Sequence, residues 1–208
     1  MLDRAATRLL RPLLGGIATQ LLRIGMHADQ ATLIGFGIGI AAAVAIANAW
    51  FATGLVLLLL SRLFDGIDGA LALATTPTDR GGYLDITLDF LFYASIPLAF
   101  AFADPAANAL AAAVLLAAFI GTGSSFLAFA AVAAKRGLAS SAYPEKGIYY
   151  LGGLTEASET LACFTLMCLW PAHFALLSYA FAVLCGFTIA TRLWAGWTMF
   201  AAPADREH

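Results

Sequence analysis

Charged side chains are scarce in this sequence. Asp, Glu, Lys and Arg together make up 12% of the 208 residues, 62% of the residues are hydrophobic, and the mean hydropathy is +0.85. An ordinary soluble domain carries about 25% charged residues, so the composition argues against a soluble protein. The formal net charge of −2 provides no basic surface to attract nucleic acid. These absences favour a single polytopic membrane domain over residues 1–208, surrounded by membrane lipids and without a nucleic-acid partner.

Ligands for soft metals and partners for disulfides are also few. The chain has three cysteines, all in apolar stretches: Cys163, Cys168 and Cys185. Their number is odd and their spacing matches no metal-binding pattern, which argues against a disulfide framework and against a zinc site. The histidines lie far apart in the sequence, near ends or breaks, and add no credible metal site.

Apolar segments of about 20 residues, the length that crosses a bilayer, recur along the chain. Six of them are separated by short breaks: 31–49, 52–74, 83–103, 107–134, 147–170 and 174–199. Ahead of them, residues 1–25 carry leucines at helical spacing on one side and arginines on the other, which is typical of a helix lying in the membrane interface. The sequence therefore predicts an all-α integral membrane protein, with an interfacial amphipathic N-terminal helix followed by six transmembrane helices over 31–199.

The basic residues predict the orientation of the chain in the membrane. The breaks at 48–52, 104–108 and 171–174 contain no Lys or Arg. The other side collects the basic residues: Arg4, Arg8, Arg11, Arg23, Arg80, Lys135, Arg136, Lys146 and Arg206. Because cytoplasmic loops carry the excess of Lys and Arg, we expect both termini, and the break between the second and third spans, to face the cytoplasm.

Four aspartates stand out, because an acid inside a membrane segment is costly and usually marks function. Asp65 and Asp68 are three residues apart, and Asp85 and Asp89 are four apart. Each pair therefore shares one face of its helix. We expect the second and third spans to run antiparallel, so that the two pairs can face each other near the cytoplasmic surface. Like charges so close repel unless a cation intervenes, and oxygen ligands without His or Cys favour Mg²⁺ or Mn²⁺.

The same stretch resembles the motif of the CDP-alcohol phosphotransferase family, D-x-x-D-G-x-x-A-R followed by seven or eight residues and G-x-x-x-D-x-x-x-D. The matching positions are Asp65, Asp68, Gly69, Ala72, Gly81, Asp85 and Asp89. The predicted topology is also similar to that of the family, with the motif across the second and third of six spans. One position departs from the motif, because Leu73 stands where the family has arginine.

The resemblance implies a membrane enzyme that transfers a phosphatidyl (substituted phosphate) group from a CDP-linked lipid to an alcohol, releasing CMP, in phospholipid biosynthesis. It implies Mg²⁺ or Mn²⁺ bound by Asp65, Asp68 and Asp85. It also implies a second ion shared with Asp89, and Asp89 as the base that takes the proton of the acceptor. Whether one or two ions bind stays open, and the family further implies a homodimer.

The resemblance assigns contacts with the donor to the small residues Gly69, Ala72 and Gly81. Leucine cannot grip a diphosphate in the bidentate way that arginine does. Arg62 and Arg80 are therefore candidates for the missing positive charge, and the spacing alone does not choose between them.

No motif names the acceptor alcohol. Lys146 and Arg192 are candidates for binding a phosphorylated acceptor, such as glycerol 3-phosphate or inositol phosphate, because a phosphate needs cations. Glu156 and Glu159 in the fifth span either line the acceptor pocket or make hydrogen bonds between helices. The small residues of GTGSS at 121–125 are interpreted as allowing close packing between helices.

Two other functions remain open on the sequence alone. A divalent-cation transporter could use the same acidic cluster, although the acids gather at one end of the spans and do not step across the bilayer. A degenerate family member could bind lipid or nucleotide without turnover, with Leu73 as the cause of the lost activity.

Overall fold

The computed structural model describes residues 2–138 and 153–201, with residues 2–11 described by their backbone alone. Within these ranges every regular element is helical. The elements follow in the order α1 (Leu2–Arg23), α2 (Ala28–Ala47), α3 (Phe51–Ala74), α4 (Asp79–Ala103), α5 (Pro105–Lys135), α6 (Ala157–Leu169), a 3₁₀ turn (Pro171–His173) and α7 (Phe174–Met199). The all-helical fold class is confirmed for this part of the chain.

Four of the described helices are long and apolar enough to cross a membrane: α2, α4, α5, and α7 together with the 3₁₀ turn before it. Helix α3 has 24 residues, which at 1.5 Å per residue exceeds the ~30 Å of a bilayer core, but it carries Arg62, Asp65 and Asp68. Helix α6 has 13 residues. The count of six spans and the interfacial position of α1 therefore stay predictions.

The predicted fifth span is wrong over residues 153–156, which are not helical, and α6 begins at Ala157. The backbone amides of Leu154 and Thr155 donate to Oγ1 of Thr188 on α7, both at 3.2 Å. Because a side chain of α7 holds these amides, the chain approaches α6 along α7 before it turns into the helix. The earlier part of that predicted span lies outside the described residues.

Aromatic side chains fill the core of the bundle. The rings of Phe100 and Phe174 are stacked with their centroids 4.5 Å apart, and both residues are fully buried. A Cβ atom on Gly39 of α2 would lie only 2.5 Å from Cδ2 of Phe92 on α4. Glycine is therefore required for α2 and α4 to approach this closely, and the contact fixes the position of the helix that carries Asp85 and Asp89.

Small residues in α5 allow it to approach two other helices. A Cβ atom on Gly121 would lie 2.5 Å from Cδ1 of Ile189 on α7, and one on Gly123 would collide with the ring of Phe90 on α4. The interpretation of the 121–125 segment as a site of close helix packing is confirmed.

Candidate metal centre

The site lies where the end of α3 and the start of α4 meet over α2. In the connection between α3 and α4, Oγ1 of Thr78 accepts the N–H of Gly81 at 3.0 Å and so caps α4. Both helices pack against α2. Oγ of Ser61 on α3 donates to the carbonyl of Gly35 on α2 at 2.7 Å, and this buried bond holds α3 in register on α2 beside the acids.

Three carboxylates lie close together at this point. Asp65, Asp68 and Asp85 each present an oxygen atom, and these atoms lie within 4.8 Å of one another. Asp68 is 7% exposed, Asp65 is half-buried and Asp85 is exposed. Among the described residues, Oδ2 of Asp68 is buried without a hydrogen-bond partner. A buried carboxylate oxygen is costly unless a positive group pairs with it, so this atom favours a bound cation.

The cavity between the helices is small, with a volume of about 10 Å³, which is close to the space of a single water-sized sphere. Residues from α2, α3 and α4 line it: Thr32, Gly35, Phe36, Arg62, Asp65, Asp68, Asp85, Leu88 and Asp89. Carboxylate oxygens are the ligands that Mg²⁺ and Mn²⁺ prefer. The residues present therefore fit a hard divalent ion held by the three clustered carboxylates.

Asp89 lies beside Arg62, at the edge of this cluster. Nη1 of Arg62 is 2.6 Å from Oδ1 of Asp89 and 3.2 Å from Oδ1 of Asp65. The guanidinium carbon is 3.9 Å from the centroid of the Phe92 ring, a distance at which a cation is attracted to the ring face. Arg62 thus joins the acids of α3 to the last acid of the motif on α4.

The small residues assigned to the donor differ in their surroundings. Gly69 is exposed, and a Cβ atom there would meet no atom within 4 Å, so the backbone is open to a ligand. Ala72 is half-buried. A Cβ atom on Gly81 would lie 3.2 Å from Oδ1 of Asp29 and 3.2 Å from Oγ1 of Thr78. Gly81 therefore makes room for a side chain of α2 at the start of α4, whereas Gly69 leaves open space.

The basic residues near the motif lie at different depths. Arg80 has its side chain 79% exposed and its Nη2 lies 2.5 Å from Oδ2 of Asp29. Leu73, in the place of the family's arginine, is 53% exposed. Arg80 therefore lies at the open side of the site, while Arg62 is enclosed by the cluster.

The residues assigned to the acceptor lie on the other helices, except that Lys146 falls outside the described residues. Arg192 on α7 is 7% exposed, and its Nη1 donates to the carbonyl of Thr122 on α5 at 2.9 Å. At the start of α6, Oε1 of Glu156 accepts the N–H of Gly153 and Oε2 of Glu159 accepts the N–H of Glu156, both at 3.2 Å. The two glutamates thus satisfy backbone amides where α6 begins.

Sequence reasoning missed the contribution of α2 to the site. Thr32, Gly35 and Phe36 line the cavity, yet α2 reads as an ordinary apolar span. The glycines at 35, 37 and 39 were the available signal, because small residues in a membrane helix often mark a close helix contact.

Curated proteins are similar to this chain along most of its length or along about a third of it. The inner membrane protein YnjF of Escherichia coli (strain K12) is 51% identical over 197 residues, which cover 95% of this chain and 96% of that protein. Archaetidylinositol phosphate synthase of Methanothermobacter thermautotrophicus is 44% identical over 70 residues, 33% of this chain and 36% of that protein. No protein-family model matches the sequence.

Solved structures share the fold. Mycobacterium tuberculosis phosphatidylinositol phosphate synthase (PgsA1) with CDP-DAG bound has a TM-score of 0.74 and 22% identity, covering 90% of this chain and 94% of that one. The same enzyme in complex with manganese and citrate has a TM-score of 0.69 and 23% identity, covering 89% of each chain.

Over the described residues, the fold and the site together define a helical membrane protein with a carboxylate centre suited to a hard divalent ion. The chain belongs to the CDP-alcohol phosphotransferase family.

Proposed function

We propose that the protein transfers a phosphatidyl group, or another substituted phosphate group, from a CDP-linked lipid such as CDP-diacylglycerol to an alcohol acceptor, releasing CMP, in phospholipid biosynthesis. The observation that carries the proposal is the set of carboxylate oxygens of Asp65, Asp68 and Asp85 within 4.8 Å of one another. The open backbone at Gly69 next to them supports it. So do the fold shared with a synthase that has CDP-DAG bound and the family motif.

The proposed chemistry assigns each acid a task. Asp65, Asp68 and Asp85 hold Mg²⁺ or Mn²⁺, which when bound neutralises the diphosphate and stabilises the negative charge of departing CMP. Asp89 accepts the proton of the acceptor hydroxyl, whose oxygen bonds to the lipid-linked phosphorus as the bond between that phosphorus and CMP breaks. Arg62 holds Oδ1 of Asp89, which leaves Oδ2 as the atom that takes the proton.

We propose further that the protein spans the cell membrane with its site at the cytoplasmic surface. Six spans preceded by an interfacial helix, with both termini and the site facing the cytoplasm, agree with the basic residues on one side of the chain and with a relative named as an inner membrane protein. A site at the cytoplasmic surface explains how one pocket meets both a lipid donor and a water-soluble acceptor. A homodimer is part of the proposal by family resemblance.

The experiment that tests this function is CMP release by the purified protein in nanodiscs. The reaction contains CDP-diacylglycerol, Mn²⁺ or Mg²⁺ and a pool of alcohols, with the variant Asp85→Asn as control. Release that requires metal and is lost in the control supports the enzyme, and dividing the pool then identifies the acceptor. Binding of CDP-lipid without release would point to a degenerate homologue. Metal flux into liposomes without release would point to a cation transporter.

A variant that restores the arginine of the family motif tests how the donor is bound. Leu73→Arg is expected to lower the Kd for CDP-diacylglycerol about tenfold, because a charge-assisted hydrogen bond contributes about 1.5 kcal/mol and the exposed position leaves room for the longer side chain. The measurement is donor binding in nanodiscs, with Leu73→Gln as the matched uncharged control. An unchanged Kd in both variants would mean that Arg80 already supplies the charge.

A variant of the buried Arg192 tests how the acceptor is bound. Arg192→Gln is expected to raise the KM for a phosphorylated acceptor by about 10- to 100-fold and to leave the KM for CDP-diacylglycerol within about threefold, because only the acceptor loses its cation. Steady-state kinetics with varied acceptor measure the effect. Arg136→Gln is a matched control, because Nη2 of Arg136 also donates to a backbone carbonyl on another element, that of Phe200, at 2.9 Å. Equal effects of both variants would reduce Arg192 to a structural role.

A further inference from the structure

Arg62 occupies the space between two carboxylates of the motif. A single atom, Nη1, lies 3.2 Å from Oδ1 of Asp65 and 2.6 Å from Oδ1 of Asp89. The side chain is 11% exposed, and its charged end lies over the Phe92 ring at 3.9 Å and 5.6 Å from the centroid of the Tyr93 ring. The guanidinium is therefore enclosed by two acids and two aromatic rings.

These contacts hold Arg62 in place. Its Nη2 also donates to Oγ of Ser61 at 3.4 Å, and Ser61 is tied to the carbonyl of Gly35 on α2. Withdrawing a buried arginine from its acids leaves charges without a partner in a partly buried site, which is unfavourable. A side chain held in this way is part of the centre and is poorly suited to move out and grip a donor.

The position of Arg62 along α3 also separates it from the missing arginine of the family motif. Arg62 precedes Asp65 by about one turn, whereas Leu73 follows Asp68, and the eleven steps from residue 62 to residue 73 span about 16 Å of helix axis. The two positions lie on opposite sides of the acids. Arg62 therefore does not replace the arginine that the motif lacks.

Nη1 of Arg62 lies between Asp65 and Asp89, where a second cation shared by these two acids would also have to lie. A divalent ion there would compete with Nη1 of Arg62 for the carboxylates of Asp65 and Asp89, and it would be repelled by the guanidinium at a distance of a few ångströms. We propose that Arg62 takes the place of a second metal ion. The centre then binds one divalent ion on Asp65, Asp68 and Asp85, and Arg62 is the positioning residue that orients Asp89. The part played by Asp89 rests on the proposed function, whereas the number of ions does not.

The test is the number of Mn²⁺ ions bound by the full chain in nanodiscs of phosphatidylcholine, which has no net charge. Isothermal titration gives the stoichiometry, and electron paramagnetic resonance detects the spin coupling of two ions about 4 Å apart. Empty nanodiscs and the variant Asp68→Asn provide the background. The expected result for the wild type is one ion without spin coupling, and two coupled ions would overturn the proposal without any variant.

Variants of Arg62 test whether this residue limits the number of bound Mn²⁺ ions to one. Arg62→Gln removes the charge and is expected to bind a second Mn²⁺ with a spin-coupled signal, while Arg62→Lys keeps the charge and is expected to bind one. A folded Arg62→Gln protein that still binds one ion would overturn the proposal, because something other than Arg62 would then exclude the second.

A second variant covers the case in which Arg62→Gln fails to fold. Asp89→Asn in the wild-type background is expected to bind one ion with a Kd within about threefold of wild type, since Asp89 contacts Arg62 and is not a metal ligand. Loss of a bound ion in this variant would overturn the proposal.

CMP release is measured on the same preparations, so that the two proposals fail separately. One bound ion without CMP release would count against the proposed function and leave the stoichiometry standing. CMP release by a wild-type protein that binds two ions would count against the role of Arg62 alone.

Discussion

Asp68→Asn is expected to reduce metal-dependent CMP release by about 10³-fold, because a bound metal supplies several kcal/mol of charge stabilisation in the transition state. Asp68 is the most buried of the three clustered acids, and its Oδ2 is buried without a hydrogen-bond partner among the described residues. Asparagine has nearly the same shape but lacks the charge, so the change removes a metal ligand with little change in packing.

Asp68→Asn is expected to lose the stabilisation by metal without losing the stability of the metal-free protein. In the wild type, saturating Mn²⁺ should raise the unfolding temperature, because an ion that binds only the folded protein stabilises it by about 2.7 kcal/mol at 100 times its Kd. In Asp68→Asn this rise should vanish. The metal-free variant should be no less stable than the metal-free wild type, since the negative charge of a buried carboxylate has been removed.

Asp79→Asn is the matched control for this experiment. Asp79 is exposed in the first turn of α4, so the variant loses one negative charge close to the site without losing a clustered ligand. Its CMP release and its Mn²⁺-induced rise in unfolding temperature should stay close to wild type. If Asp68→Asn kept its release within about tenfold of wild type, the three carboxylates would not be the metal centre.

The grouping of the acids could be predicted because its causes are local. Spacings of three and four residues place each pair of aspartates on one helix face, and the connection 75–78 is too short to separate the helix ends. Residues near in sequence therefore decide that the carboxylates of Asp65, Asp68 and Asp85 meet. The apolar composition in the same way decides the helical class, because a backbone in lipid must satisfy its own hydrogen bonds.

The contacts that the sequence could not predict join residues far apart in the chain. Arg62 and Asp89 are 27 residues apart, and their pairing depends on how α3 and α4 are placed on α2. The start of α6 depends on Thr188, which is 34 residues beyond Leu154. The residues just before Ala157 include apolar side chains as well, so hydropathy alone starts the predicted helix before its observed first residue.

Asp89→Asn should lower kcat by about 10²- to 10⁴-fold, the range that a positioned base contributes, and leave the Kd for CDP-diacylglycerol within about threefold. An asparagine oxygen can still accept from Nη1 of Arg62, which is 2.6 Å from Oδ1 of Asp89, so the local structure should persist. The side chain can no longer take a proton. Single-turnover CMP release with bound donor measures this step apart from donor binding.

Acceptors of graded acidity distinguish a base from a structural role for Asp89. An alcohol with a more acidic hydroxyl needs less help in losing its proton, so the deficit of Asp89→Asn should shrink along a series of increasingly acidic acceptors. A structural defect would slow all acceptors by the same factor. Rates of Asp89→Asn equal to wild type with every acceptor would remove Asp89 as the base, and the proton would then have to leave through water at the open side of the site.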